Sequence, residues 1–129
     1  MSKYFDLLER YFAEISSEKL KIYKSLYDIY QGINDKVNLI SRKDFENFYL
    51  HHIIHSLSIT KFELIKNDDK KILDIGTGGG LPGIPLAIYY NKKNFVLVDS
   101  IRKKISAVDT IIKKINAKNI NTLNDRAEN

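Results

Sequence analysis

Residues 76–80, with the sequence GTGGG, are the part of this chain best suited to holding a ligand. They follow a short apolar run, Ile72–Ile75, and Pro82 then begins a second apolar segment. This order predicts a buried strand, a tight turn and a helix, which together form the first unit of a nucleotide-binding α/β sheet. Glycine suits such a turn because the backbone bends sharply and a ligand lies against it where no Cβ intervenes.

Two ligand patterns fit the turn. The dinucleotide pattern G-x-G-x-x-G is matched by Gly78, Gly80 and Gly83. The pattern D-x-G-x-G-x-G of S-adenosylmethionine-dependent methyltransferases is matched by Asp74, Gly76, Gly78 and Gly80. A pyrophosphate needs N–H donors at the start of the helix, and Pro82 and Pro85 remove two of them. We therefore favour the methyl donor, whose cationic sulfur benefits from a carboxylate, over a dinucleotide or a turn without a ligand.

A carboxylate is expected beside the turn. Residues 95–98 (FVLV) form a fully apolar strand, as in the centre of a parallel sheet, and Asp99 ends it. An acidic residue at this point accepts hydrogen bonds from ribose hydroxyls. The alternative is that Asp99 or Ser100 caps the following helix, and the two roles are compatible.

The chain before the turn has a helical pattern over about 66 residues. Apolar residues at helical spacing predict three helices, over residues 4–15, 18–31 and 41–62. Gly32 is expected to end the second, and Ser41 with Asp44 to form a capping box for the third. Five tyrosines precede residue 31, and we interpret them as core packing rather than base-stacking residues.

After the turn, the pattern alternates between helices and strands, with a helix over 84–90, a helix over 101–115 and a strand over 119–123. The carboxyl end of that last strand, residues 124–128, falls where an open α/β sheet binds its ligand.

Composition narrows the class of protein. The 129 residues contain no cysteine, no apolar run long enough for a membrane span and no signal-peptide pattern, so we expect a cytoplasmic location. The net charge of +5 is concentrated after residue 70, where ten Lys/Arg face five Asp/Glu. Such a basic region beside a candidate site fits RNA, and equally fits a solvated lysine-rich surface.

His51 and His55 share a helix face, but no third ligand accompanies them, so no metal site is expected.

A family resemblance adds to this interpretation. The segments NLIS, HHIIHSL, ILDIGTGGGLPGIPLAI, FVLVDS and DRAEN occur in the order and near the spacing of one bacterial family. On these segments the chain resembles, over essentially all its length, the small-subunit ribosomal RNA methyltransferase G family, also called glucose-inhibited division protein B. The resemblance implies methyl transfer from S-adenosyl-L-methionine to N7 of a guanine in ribosomal RNA. It also implies an α/β fold, with an N-terminal helical segment followed by the first half of a Rossmann-like class I methyltransferase sheet.

The resemblance also assigns residues. Together with the glycine motif, it implies a cofactor site formed by Gly76, Gly78, Leu81, Asp99, Ala127 and Glu128. Lys103 and Arg126 match basic positions suited to RNA or to charge stabilisation, and no catalytic residue is assigned. Asn38 matches the asparagine of an NLT-like family motif. His51 and His55 depart from the family, where many members have arginine and aspartate.

The length raises a second expectation. From Lys71 only 59 residues follow, enough for three strands, whereas the family domain has further strands and another cofactor-contacting arginine. We therefore expect an N-terminal fragment or truncated product, with a helical extension over 1–66 and a partial methyltransferase domain over 67–129. The alternatives to a monomeric enzyme acting on ribosomal RNA or a ribosomal particle are an RNA-binding fragment without turnover and, less favoured, a dinucleotide-dependent oxidoreductase.

Overall fold

A computed structural model describes residues 3–126 and gives an α/β fold. Helices α1 (Phe5–Tyr11) and α2 (Ser17–Asn34) come first, followed by a 3₁₀ helix (Arg42–Asn47), a π-helical segment (Tyr49–Ile54) and helix α3 (His55–Lys61). Strands and helices then alternate as β1 (Lys71–Ile75), α4 (Gly83–Tyr89), β2 (Asn94–Asp99), α5 (Arg102–Lys114) and β3 (Ile120–Asn124). The predicted fold class, helices followed by the first half of a Rossmann-like sheet, is confirmed.

The three strands form one parallel sheet in the order β1-β2-β3. Helices α4 and α5 provide the crossovers that parallel strands require. The register pairs Ile75 with Val98, and Val98 with Leu123, so the three strands end at the same edge. Residues at this carboxyl edge are therefore brought together.

The two faces of the sheet differ. Phe95 and Leu97 of β2 are fully buried beneath the helices. On the other face Leu73, Ile75 and Leu123 are 55%, 57% and 50% exposed. The prediction that β1 is a buried strand is therefore wrong for Leu73 and Ile75, because no element within residues 3–126 covers that face.

Helix α2 is longer than the pattern predicts. The Ser16 hydroxyl accepts a hydrogen bond from the Lys19 amide and begins the helix, which passes through Gly32 and ends at Asn34. The prediction that Gly32 ends it is wrong. Asn34 ends the helix instead, because its buried side-chain oxygen accepts hydrogen bonds from the Leu39 and Ile40 amides and its nitrogen donates to the Ile40 carbonyl.

The third helical stretch is also irregular. It starts as a 3₁₀ helix at Arg42, and the Ser41 side chain caps nothing, so the predicted capping box is wrong. Asp44 instead faces His51 and His52, which lie seven and eight residues further along the chain. This contact draws the Asp44 carboxylate away from the backbone amide that a capping box would satisfy.

One core joins the helices to the sheet. Tyr23, Tyr30 and Phe48 are fully buried in it with Ile84 and Leu97. The interpretation of the early tyrosines as core residues is confirmed for Tyr23 and Tyr30 and is wrong for Tyr11, which is 59% exposed. Within residues 3–126 no helix is both long and apolar enough to cross a membrane. The division of the chain at residue 66 stays a prediction.

Candidate functional site

The glycine turn joins β1 to α4 through backbone conformations that favour glycine. Gly76, Gly78 and Gly80 have φ angles of +74°, +57° and +86°. The amides of Gly76 and Thr77 both donate to the Val98 carbonyl, at 2.8 and 2.9 Å, which ties the turn to the end of β2. A Cβ built on Gly76 or Gly78 meets no protein atom within 4 Å, so these positions face open space rather than packed core.

Asp99 connects this turn to the start of α5. Its Oδ2 accepts a hydrogen bond from the Gly78 amide at 2.8 Å, and its Oδ1 accepts one from the Ile101 amide at 2.9 Å. An ionised carboxylate has about four acceptor positions, so two protein donors leave capacity for ligand hydroxyls. Helix α5 begins at Arg102, and no side chain caps its first turn. The prediction that Asp99 or Ser100 caps this helix is therefore wrong.

A cavity of about 360 Å³ opens at the carboxyl edge of the sheet. Its lining comes from the ends of all three strands and consists of Ile75, Gly76, Val98, Asp99, Ser100, Asp125 and Arg126. Ligands of open α/β sheets bind at this edge. The volume lies at the lower end of the range for small-molecule sites.

The structure brings together only some of the predicted residues. Gly76, Asp99 and Arg126 line the cavity, and Gly78 is hydrogen-bonded to Asp99. Leu81 is half-buried against the core outside the lining, and Lys103 borders a different groove. Ala127 and Glu128 lie outside the described residues.

Two further polar residues line the cavity: Ser100, which sequence reasoning missed as a site residue, and Asp125, which it included only within the range 124–128. Both directly follow the last residue of a strand, and the Asp125 amide donates to the Asp99 carbonyl at 3.1 Å. The rule that ligands bind at the carboxyl ends of parallel strands, applied to β2 as it was to β3, could have found Ser100.

Asp74 fixes the turn to helix α4. Its Oδ2 accepts hydrogen bonds from the Thr77 hydroxyl at 2.6 Å and from the Gly83 amide at 3.0 Å. Burial raises the pKa of this carboxyl, and the two hydrogen bonds oppose that shift. Gly83 has to be glycine for a packing reason, because a Cβ there would lie 2.8 Å from both Asp74 Oδ2 and Leu97.

The start of α4 is poorly suited to a phosphate. Pro82 and Pro85 have no N–H, the Gly83 amide is bound to the Asp74 carboxylate, and the Ile84 amide donates to the Gly80 carbonyl. A pyrophosphate would therefore find its expected donors occupied or missing, beside a carboxylate that repels it. This geometry disfavours the dinucleotide alternative.

The N-terminal helices support the turn from behind. The buried Tyr30 hydroxyl donates to the Gly79 carbonyl at 2.7 Å, and the Tyr23 hydroxyl donates to the Pro85 carbonyl at 2.8 Å. Burial raises the pKa of both tyrosines, so they stay neutral donors. Leu39 packs directly on Gly79, where an added Cβ would lie 3.1 Å from the Leu39 Cβ.

The histidines lie away from this cavity. The His51 ring forms a hydrogen bond with the Asp44 carboxylate. His52 Nε2 also lies 2.9 Å from Asp44 Oδ2, but the angle between the two groups does not allow a hydrogen bond. The hydrogen bond from His51 lowers the pKa of Asp44, and burial lowers the pKa of His52. In the described part of the chain, no three His, Cys, Asp or Glu side chains are placed to hold a metal ion.

Comparisons with known proteins agree with this geometry. Residues 17–129 match the family model described as rRNA small subunit methyltransferase G. Proteins named ribosomal RNA small subunit methyltransferase G are similar over 123 residues. The one from Christiangramia forsetii is 44% identical, that from Phocaeicola vulgatus 45% and that from Porphyromonas gingivalis 40%. In each case the match covers 95% of this chain, but it covers only 58%, 58% and 55% of the relatives.

Proposed function

The chain belongs to the rRNA small subunit methyltransferase G family, and we propose that it acts as an S-adenosyl-L-methionine-dependent methyltransferase on small-subunit ribosomal RNA. The observation that carries the proposal is the shared cavity of Gly76 and Asp99 at the carboxyl edge of the sheet. The names of the relatives support the substrate, and N7 of a guanine is the accepting atom that the family resemblance implies.

The cavity suits the adenosine part of the methyl donor. Gly76 and Gly78 leave space where any side chain would protrude, and Asp99 keeps acceptor capacity for ribose hydroxyls. Arg126 lies at the rim beside Asp125. Contacts from Leu81, Ala127 and Glu128 to the cofactor stay predictions.

Methyl transfer to guanine N7 needs little proton chemistry. The cofactor supplies an electrophilic methyl group, and N7 already has a free lone pair, so no general base is required. The task of the protein is to orient two reactants and exclude water, which is a proximity effect. Because N7 lies in the deep major groove of A-form RNA, the target guanine has to be unpaired or flipped out.

Two binding measurements and one turnover assay test this function. Isothermal titration calorimetry with S-adenosylmethionine and with NAD⁺ is expected to show tighter binding of the methyl donor. Incubation with small-subunit ribosomal RNA and labelled methyl donor is expected to transfer label to guanine N7. Tighter NAD⁺ binding would support the oxidoreductase alternative, and cofactor binding without label transfer would support an RNA-binding chain without turnover.

A further inference from the structure

A second groove lies between the end of α2 and helix α5, with a volume of about 490 Å³. Its floor is apolar and includes Ile33, Val37 and Ala107. Three exposed lysines border it, one after the end of α2 and one each from the first and last turns of α5: Lys36, Lys103 and Lys114. The groove is therefore apolar at its base and positively charged around it.

The charge of these lysines is not balanced locally. None of the three takes part in the ion pairs found within residues 3–126. Asp28 is the one acidic residue in the described lining of the groove. This surface therefore has a surplus of positive charge that is available to an anionic partner.

The charge at the start of α5 opposes what helix stability favours. Arg102, Lys103 and Lys104 occupy the first three helical positions, and the first turn has no acidic residue. Acidic side chains stabilise this end of a helix through its dipole, whereas cations destabilise it. The folding of α5 does not explain three consecutive cations at this end.

Gly32 provides an independent observation. It lies in the last turn of α2, where glycine is a poor helix former, and it lines the groove. Neither the backbone nor the packing requires glycine, because its φ is not positive and an added Cβ meets no atom within 4 Å. The effect of having glycine here is that the groove stays wide.

From these observations we propose that the groove binds the phosphodiester backbone of an RNA strand. The inference rests on the function proposed above and adds to it the surface on which the substrate lies. Lys103 follows Asp99 by four residues, so the lining of the groove and the lining of the cofactor cavity are close in sequence. From Lys103 to Lys114 the helix rises ~16 Å, a distance that spans several phosphates.

A charge-matched pair of variants tests the groove. Lys36, Lys103 and Lys114 are replaced together by alanine, and the control replaces Lys43, Lys92 and Lys113, three exposed lysines outside the groove lining. Fluorescence anisotropy with a labelled, guanine-containing single-stranded RNA is recorded over a range of salt concentrations. We expect the groove variant to lose at least tenfold in affinity and about 2 in the slope of log K against log salt, and the control to stay within twofold. Equal losses in both variants, or no RNA binding by the unaltered chain, would overturn the proposal.

Gly32 gives a second test that does not remove a lysine. Gly32→Gln and Gly32→Glu add side chains of equal size, and both are expected to fold because the position is open. Gln should weaken RNA binding severalfold by filling the groove, and Glu should weaken it more than tenfold by repulsion. Unchanged RNA affinity in both variants would contradict the proposal.

Calorimetric binding of S-adenosylmethionine to the same variants should be unchanged. This separates the two inferences. If the unaltered chain binds RNA through the groove lysines but does not bind S-adenosylmethionine, that result would count against the proposed function alone. If the chain binds S-adenosylmethionine but replacing the groove lysines does not change its RNA affinity, that result would count against the groove proposal alone.

Discussion

The amide nitrogen of Gly78 lies 2.8 Å from Oδ2 of Asp99, so a charge-assisted hydrogen bond joins the glycine turn to the side chain that ends β2. This bond spans 21 residues of sequence and crosses the boundary between neighbouring strands. It holds two segments in place beside one cavity, and Asp99, which lines that cavity, is the residue proposed to bind the ribose.

Gly76→Val should abolish detectable binding of S-adenosylmethionine. The backbone at Gly76 has a φ of +74°, which a β-branched residue adopts only under strain, and the new side chain would enter the cavity. Calorimetry measures the effect. Gly32→Ala is the control, since its helical backbone accepts alanine and the fold should gain up to about 1 kcal/mol. Unchanged affinity in Gly76→Val would place the cofactor elsewhere.

Asp99→Asn should reduce the affinity for the methyl donor by about 10–100-fold. The change replaces a charged acceptor by an amide with one oxygen, so the Gly78 amide and a ribose hydroxyl compete for it; hydrogen bonds to charged groups contribute about 1.5–3 kcal/mol. Asp109→Asn is the matched control, because Asp109 accepts a hydrogen bond from Thr122 outside the cavity lining. Equal losses in the two variants would show a general effect of charge.

Tyr30→Phe should loosen the glycine turn, whereas Tyr23→Phe should not. Each variant removes one buried hydroxyl and leaves a carbonyl unpaired, at a cost of about 1–3 kcal/mol in the free energy of unfolding. Only Tyr30 is bonded to the turn, through Gly79. Hydrogen exchange at the Gly80 and Leu81 amides should therefore accelerate in Tyr30→Phe alone, with a weaker affinity for the methyl donor. Similar exchange in both variants would contradict a positioning role for Tyr30.

His52 should make the fold less stable in mild acid. Burial lowers the pKa of His52 in the folded chain, below the ordinary value of 6.5 that it has when unfolded. The unfolded state then binds more protons than the folded state below pH 6.5. The contribution of the neutral His52 side chain to the free energy of unfolding is therefore fully present above pH 6.5 and decreases as the pH falls. Urea unfolding between pH 7.5 and 5 should show a shallower decrease for His52→Gln than for the unaltered chain. An identical pH dependence in the two proteins would show that His52 does not contribute.

The parts of this structure that local patterns determine were predictable. Alternation of apolar strands and helices after residue 70 gave the parallel sheet, and the glycine pattern located the turn. Asp99 was predictable because the strand before it is uniformly apolar and its end is sharp. These features depend on residues close together in the sequence.

The remaining features depend on contacts between distant residues. The hydrogen bond from Tyr30 to Gly79 joins residues 49 apart, and no pattern around either residue announces it. Gly32 was mistaken for a helix end because the local preference of glycine is overridden by Asn34, which ends the helix two residues later. The exposure of Leu73 and Ile75 was missed because an apolar run does not reveal whether both faces of a sheet are covered.

A crystal structure of this chain with S-adenosylhomocysteine is the most direct test of the cavity at the carboxyl edge. The expected result has the ribose hydroxyls within about 2.6–3.2 Å of the Asp99 carboxylate and the ligand in van der Waals contact with Gly76. A ligand bound outside this cavity, or a ribose that makes no contact with Asp99, would contradict the proposed site.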